Sequence, residues 1–351
     1  LVMFFIISNI LDKRPPTFSK IDISESPDVP EERKFRLGKK DVPSWPFAIV
    51  SFAFLMIIGL VLFSIDPEGI LPAVFMTGSI AAGFAVFYYL ISYQRVIIRE
   101  KTRAIEGEFT EALFQLGNKV YSGVPIESSL EHSMKRIRNL KIKEFFQIAL
   151  KNIRTGFTFQ QAFFDKQYGA VRHFPSRLIK TIMRVIVESS SRGGRTSSIA
   201  MLSISKYLKD LHKTQEDIKE ELSEALSSMK FQLYFLSPLI SGIITAITVL
   251  VLRILIEISE KVAGIGISAV PFLTQIGEGT ITSFEFVIVV GIYLIETSFI
   301  LSYFINGIEN GRDEIAFRSL ISYSLAIGFT VFVLTLAITM ILFGPLITTL
   351  V

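Results

Sequence analysis

The chain has 351 residues, 50% of them hydrophobic, with 36 Lys and Arg against 32 Asp and Glu and no cysteine. A mean hydropathy of +0.50 is too apolar for an ordinary soluble domain of this length and points to membrane spans. The lack of cysteine excludes a disulfide framework and thiolate metal sites, and leaves the compartment open.

The opening LVMFFIISNI is too short to span a bilayer. It carries neither an initiator methionine nor a signal-peptide cleavage pattern, so the sequence reads as part of a longer chain. Residues 12–44 mix Pro, Ser and both charges, and residues 1–44 are expected to be an N-terminal linker exposed to solvent. Lys39 and Lys40 sit at its end, placed for positive-inside anchoring or for anionic lipid headgroups.

Five stretches hold the roughly 20 apolar residues that a spanning helix needs: about 45–64, 70–91, 231–256, 285–305 and 320–343. The first two form a hairpin over 45–93, and the last three follow in 231–351. A weaker apolar region near 262–277 contains several glycines and Pro271, and reads as extramembrane or interfacial. Gly78 and Ala82, with Ser79 and Gly83, are small-residue pairs suited to close helix packing. Pro238 is expected to kink the third span, with Ser237 and Ser241 near the freed backbone groups.

Charge placement predicts the orientation. Residues 94–230 carry 24 Lys and Arg against 15 Asp and Glu, a net of +9. The first tight loop carries only Asp66 and Glu68, and the loop near 257–284 sets three glutamates against Lys261. The positive-inside rule then puts the N-terminus and 94–230 in the cytoplasm, and the loop near 257–284 and the C-terminus outside.

Residues 94–230 read as helix throughout. Ile105, Phe109, Leu113, Leu116 and Val120 form one apolar stripe, which restarts with Ile126, Leu130 and Met134, and again with Ile142, Phe145, Ala149 and Ile153. Pro175 is placed to open a further helix. The fold class expected is therefore an all-α integral membrane protein, with about five transmembrane helices and a cytoplasmic six-helix bundle.

The helix breaks in this domain share a pattern. GVPIESSL (123–130), GFTFQQAF (156–163) and GRTSSIAM (194–201) each place a glycine two residues before Pro or Thr, a small residue six places on, and a large apolar one at the seventh. Gly123, Gly156 and Gly194 are expected to end helices in the left-handed conformation that glycine tolerates. Pro125 pre-sets φ for the next helix, and Thr158 with Gln161 fits a capping box. Ser129, Ala162 and Ala200 would let each new helix pack closely.

The segments EFTEALFQLGNKVYSGVPIESSLEHS, ALKNIRTGFTFQQAFFD and VESSSRGGRTSSIAMLSISKYL, in this order and with spans on both sides, resemble the F-type domain of type II secretion and type IV pilus platform proteins. The resemblance covers about 108–226, and the arrangement of spans is nearer the archaeal pilus/archaellum or Tad-like branch. One such domain is present where many relatives carry two. The resemblance implies a non-enzymatic inner-membrane platform that couples a cytoplasmic secretion ATPase to assembly of pilin-like subunits. It also implies self-association as a dimer or trimer, and no cofactor.

Three features are candidates for contact. Arg192 and Arg195 flank two glycines in SSSRGGRTSS, which lacks the lysine and preceding strand of a nucleotide-binding loop. They fit either docking of an acidic partner or a solvated helix connection. The run KRIRNLKIK gathers Lys135, Arg136, Arg138, Lys141 and Lys143, for the ATPase, for lipid, or simply as a solvated basic turn; no aromatic interleaving supports nucleic acid. Glu296 lies near the middle of its span, where an ionisable group is costly; Ser241, Thr245 and Thr248 are expected at a depth to hydrogen-bond it. The alternatives for Glu296 are a structural bond between helices or reception of a pilin's N-terminal amine. His132, His173 and His212 stand apart, so no metal site is read. The competing functional reading is an ion- or proton-coupled transporter built on Glu296, although no inverted repeat is visible. A tetratricopeptide-like adaptor, suggested by the 33-residue spacing, lacks that repeat's pattern.

Overall fold

Backbone in hydrocarbon must satisfy every N–H and C=O internally, which drives uncharged apolar runs into helices. In the computed structural model, residues 29–30, 34–37, 40–67, 69–134, 140–174, 176–264, 281–311 and 313–350 are described. Among the described residues, five helices are long and apolar enough to cross a membrane, as in a multi-pass membrane protein. The chain divides into two compact units, one of Glu32–Tyr93 and Leu222–Val351, the other centred on Gln94–Glu221.

The first unit begins with a feature that the reading of a solvated linker misses. Strands β1 (Lys34–Leu37) and β2 (Lys40–Pro43) form an antiparallel hairpin that pairs Phe35 with Val42 and Arg36 with Asp41. Arg36 Nε donates to Asp41 Oδ1 at 3.1 Å across the strands. Phe35 is buried and meets Phe47 edge-on at 5.4 Å. In sequence Phe35 is hidden between Lys34 and Arg36, and Val42 between Asp41 and Pro43.

Five helices complete the unit: α1 (Trp45–Ile65), the apolar half of α2 (Ile70–Tyr121), α8 (Ser237–Gly264), α9 (Ser283–Glu309) and α10 (Glu314–Leu350). Small residues set how closely they approach. A Cβ on Gly242 would come within 2.9 Å of the Phe332 carbonyl, and one on Gly291 within 2.8 Å of Thr77. Gly78 faces the Phe329 ring in the same way, at 2.8 Å. Ala73, Val249, Val287 and Phe332 are buried where these helices meet. Hydroxyls in the interior bridge helices: Ser322 Oγ donates to the Ala85 carbonyl at 2.9 Å, and Ser302 and Ser324 share a hydrogen bond at 3.2 Å.

Ahead of Pro238 the helix widens into a π-helical segment, Gln232–Leu236, instead of simply bending. Proline lacks the N–H and its ring crowds the preceding turn, so the ladder relaxes there. Lys230 Nζ lies 2.7 Å from Glu309 Oε2, which sets the start of the third span level with the end of the fourth.

The second unit holds the charged half of α2, then α3 (Ile126–Met134), α4 (Leu140–Arg154), α5 (Phe159–Phe164), a 3-10 turn (Ala170–His173), α6 (Arg177–Ser190) and most of α7 (Gly194–Phe231). Its core is aromatic: Phe145 packs against Phe109, Phe146, Phe163 and Phe174 with ring centroids between 5.1 and 6.1 Å. Leu113, Leu116, Ile142, Ile179 and Ile186 fill the space around these rings. Helix α6 starts at Arg177 with Ser176 as its N-cap, and Pro175 lies outside the described residues.

Candidate functional site

Two of the repeated glycine turns follow one design. Gly123 has φ of +89° and Gly156 of +94°, conformations that cost a side-chain-bearing residue free energy. At the first turn the Gly123 amide donates to the Val120 carbonyl and the Val124 amide to the Lys119 carbonyl. At the second, Gly156 donates to Ile153 and Phe157 to Asn152, so both turns close helices with the Schellman pattern. The capping box expected at the second is formed: the Gln161 amide donates to Thr158 Oγ1 at 3.3 Å, and the Thr158 amide to Gln161 Oε1 at 3.0 Å.

The third turn is built differently. Gly193, not Gly194, has the positive φ, +113°, and its amide donates to the Ser190 carbonyl. Gly194 is instead the first residue of α7. The left-handed residue therefore sits one place earlier than the repeat predicts. Ser129 and Ala162 are buried as close-packing positions require, while Ala200 is half-buried and the adjacent Met201 is buried.

The first and third turns meet in space. Val120, Tyr121 and the stretch Gly123–Ile126 form one wall of a cleft of about 680 Å³, and Ser190, Gly194 and Arg195 form the other. Tyr121, Gly123, Pro125 and Arg195 are exposed along its lining, and Arg192 is exposed in the same turn but does not line the cleft. Neither arginine enters an ion pair among the described residues. The arrangement sets apolar side chains beside one guanidinium group, that of Arg195, and suits a protein segment that offers an apolar side chain beside a carboxylate. The Gly156 turn does not line this cleft.

Of the basic run, Lys135, Arg136 and Arg138 lie outside the described residues. Lys141 and Lys143 fall in the first turn of α4, with Lys143 half-buried.

Glu296 is mid-span but faces outward. It is exposed on α9 and makes no hydrogen bond or ion pair among the described residues. Of the expected partners, Thr245 turns elsewhere: it is fully buried and its Oγ1 donates to the Ser241 carbonyl at 2.7 Å. Depth is counted along each helix, whereas the side of the helix that a residue occupies is not visible in the sequence.

Two polar networks in the second unit have no sequence signature. Glu106 Oε1 accepts from Ser176 Oγ at 2.6 Å, and Ser176 Oγ in turn accepts from the Ile179 amide at 3.2 Å. Burial raises the Glu106 carboxyl above its ordinary range, against the opposing pull of the Ser176 hydrogen bond and Arg103. Asn152 Nδ2 donates to the carbonyls of Ala162 and Tyr168 at 3.2 and 2.6 Å, tying α4 to the loop around α5. Asp165 Oδ1 accepts from the Gln167 and Tyr168 amides, and those two bonds hold its carboxyl below the usual range.

No protein-family model matches the chain, and neither curated proteins nor solved structures give a match.

Proposed function

We propose that the chain is an inner-membrane platform protein of a type IV pilus-like filament, an archaellum or a related secretion machine. In this role it is a scaffold without catalysis of its own, coupling a cytoplasmic secretion ATPase to assembly of pilin-like subunits. The observation that carries the reading is the cleft joining the first and third glycine turns. These turns belong to the segments that resemble the F-type domain, and they present Arg195 next to apolar surface, with Arg192 exposed in the same turn. The charge bias places this surface in the cytoplasm, where an ATPase works, with the C-terminus outside the cell membrane.

The carrier reading loses support from the position of Glu296. A coupling site needs an ionisable group lining an interior path, and this carboxyl stands on the outer surface of α9. The test is affinity purification of the full chain from its native membrane. The expected result is recovery of a secretion ATPase and a prepilin, with ATPase recovery lowered by Arg192→Glu with Arg195→Glu. Purification without either protein would overturn the proposal. Genes for both should also lie near its own.

A further inference from the structure

The outward face of α9 poses a problem that hydrocarbon cannot solve. Val289 is 62% exposed, Ile292 50% and Tyr293 54%, with Glu296 exposed one turn further along. Lipid tails cover valine and isoleucine as well as protein does. They offer nothing to a carboxyl or a phenol hydroxyl, and neither group has a hydrogen-bond partner among the described residues.

The Lys230–Glu309 ion pair provides a depth mark. Glu296 is thirteen helical residues from Glu309, about 20 Å, and eleven from Glu285, about 16 Å, which puts it close to the middle of the hydrocarbon. Arg253, an exposed basic residue on α8, is 23 residues beyond Lys230, about 35 Å. It therefore lies about 15 Å too far out to answer Glu296, in this chain or in a copy of it. The chemistry on the face instead answers itself. Tyr293 supplies a donor three residues from an acceptor, and in a parallel two-fold pair the hydroxyl of each copy is offset by only about 4.5 Å from the carboxyl of the other. The phenol side chain spans that offset.

We infer that this face of α9 is an interface between two copies of the chain in the membrane, in which Tyr293 of each copy donates to Glu296 of the other. The inference does not rest on the platform reading, because self-association is measured on the purified chain alone. Its failure would leave the ATPase and prepilin purification untouched, and the reverse also holds.

The chain has no cysteine, so single cysteines report directly. In liposomes, full-length Ile292→Cys should form a disulfide-linked dimer on oxidation. Ile341→Cys on α10, which is 73% exposed, should not. Energy transfer between labelled copies at graded lipid dilution then measures association. Glu296→Leu should weaken it about tenfold, and Tyr293→Phe severalfold, because each removes hydrogen bonds that hydrocarbon does not replace. Glu296→Gln keeps an acceptor of the same shape and should stay within about threefold of the parent, which also guards against a folding defect as the cause. A monomer at all dilutions would overturn the inference and assign the face to a different protein's helix. Association unchanged by Glu296→Leu and Tyr293→Phe, or cross-linking at Ile341 and not at Ile292, would overturn it as well.

Discussion

Adjacent glycines at the third turn should respond to alanine with opposite signs. At Gly193 the added Cβ meets no atom within 4 Å, so the whole cost comes from a φ of +113°. Holding a side-chain-bearing residue there costs about 1–2 kcal/mol, more than the 0.4–1 kcal/mol or so recovered by stiffening the unfolded chain. At Gly194 the backbone is already helical, and the nearest atom to the new Cβ is Val120 Cγ1 at 3.7 Å, an ordinary contact. Only the gain remains there, about 0.4–1 kcal/mol. The gain is common to both, so the two variants should differ by the conformational cost alone, about 1–2 kcal/mol, or about five- to thirtyfold in the unfolding equilibrium. The assay is thermal thiol labelling of the full chain in detergent, with Ala149→Cys as the reporter, since Ala149 is 0% exposed in the core of the second unit. Gly193→Ala should lower the labelling midpoint by a few degrees, and Gly194→Ala should raise or preserve it. Equal shifts, or a larger loss at Gly194, would refute the assignment of the left-handed residue to Gly193.

Three further outcomes test the second unit with the same reporter. Phe145→Ala removes the ring at the centre of the aromatic cluster and should cost about 3–5 kcal/mol, seen as a large drop in midpoint; a loss under about 1 kcal/mol would mean the cluster repacks. Asn152→Ala strands two carbonyl acceptors and should cost about 1–3 kcal/mol, whereas a neutral result would show that water reaches them. Glu106 has a raised folded-state pKa, so its contribution to stability is fully present below the ordinary carboxylate range and is lost as pH rises through the raised value. Glu106→Gln should therefore gain on the parent between about pH 4 and pH 7, and a gap between the two that stays constant over this range would contradict the cause given.

Much of the helical architecture is a local property and is therefore legible in sequence. Apolar runs long enough to cross a bilayer need no partner to be recognised, because the solvent they require is set by their own composition. The stripe from Phe109 to Val120 predicts a buried helix face for a similar reason: 3.6-residue periodicity is written along one segment. Gly123 and Gly156 announce helix ends through the conformation that only glycine takes at low cost, and Thr158 announces a helix start through its reach to Gln161.

Where a choice depends on distant residues, local pattern is silent. The repeat selects Gly194 of the pair 193–194, but the path of α7 leaving the turn makes Gly194 helical and gives the positive φ to Gly193. Phe35 and Val42 make a hairpin visible only once they are opposite each other and Phe47 closes over the first of them. Seventy residues separate the walls of the cleft, and only the packing of α2, α6 and α7 brings them together. The depth of Glu296 follows from counting along its helix, but the direction it faces follows from which side of α9 packs on its neighbours. By itself the sequence determined the helices, their stops and their charge bias, since these depend on composition and short-range sterics. Tertiary structure alone decided which turns share a cleft and which side chains face outward, because burial is settled by contacts between residues far apart in the chain.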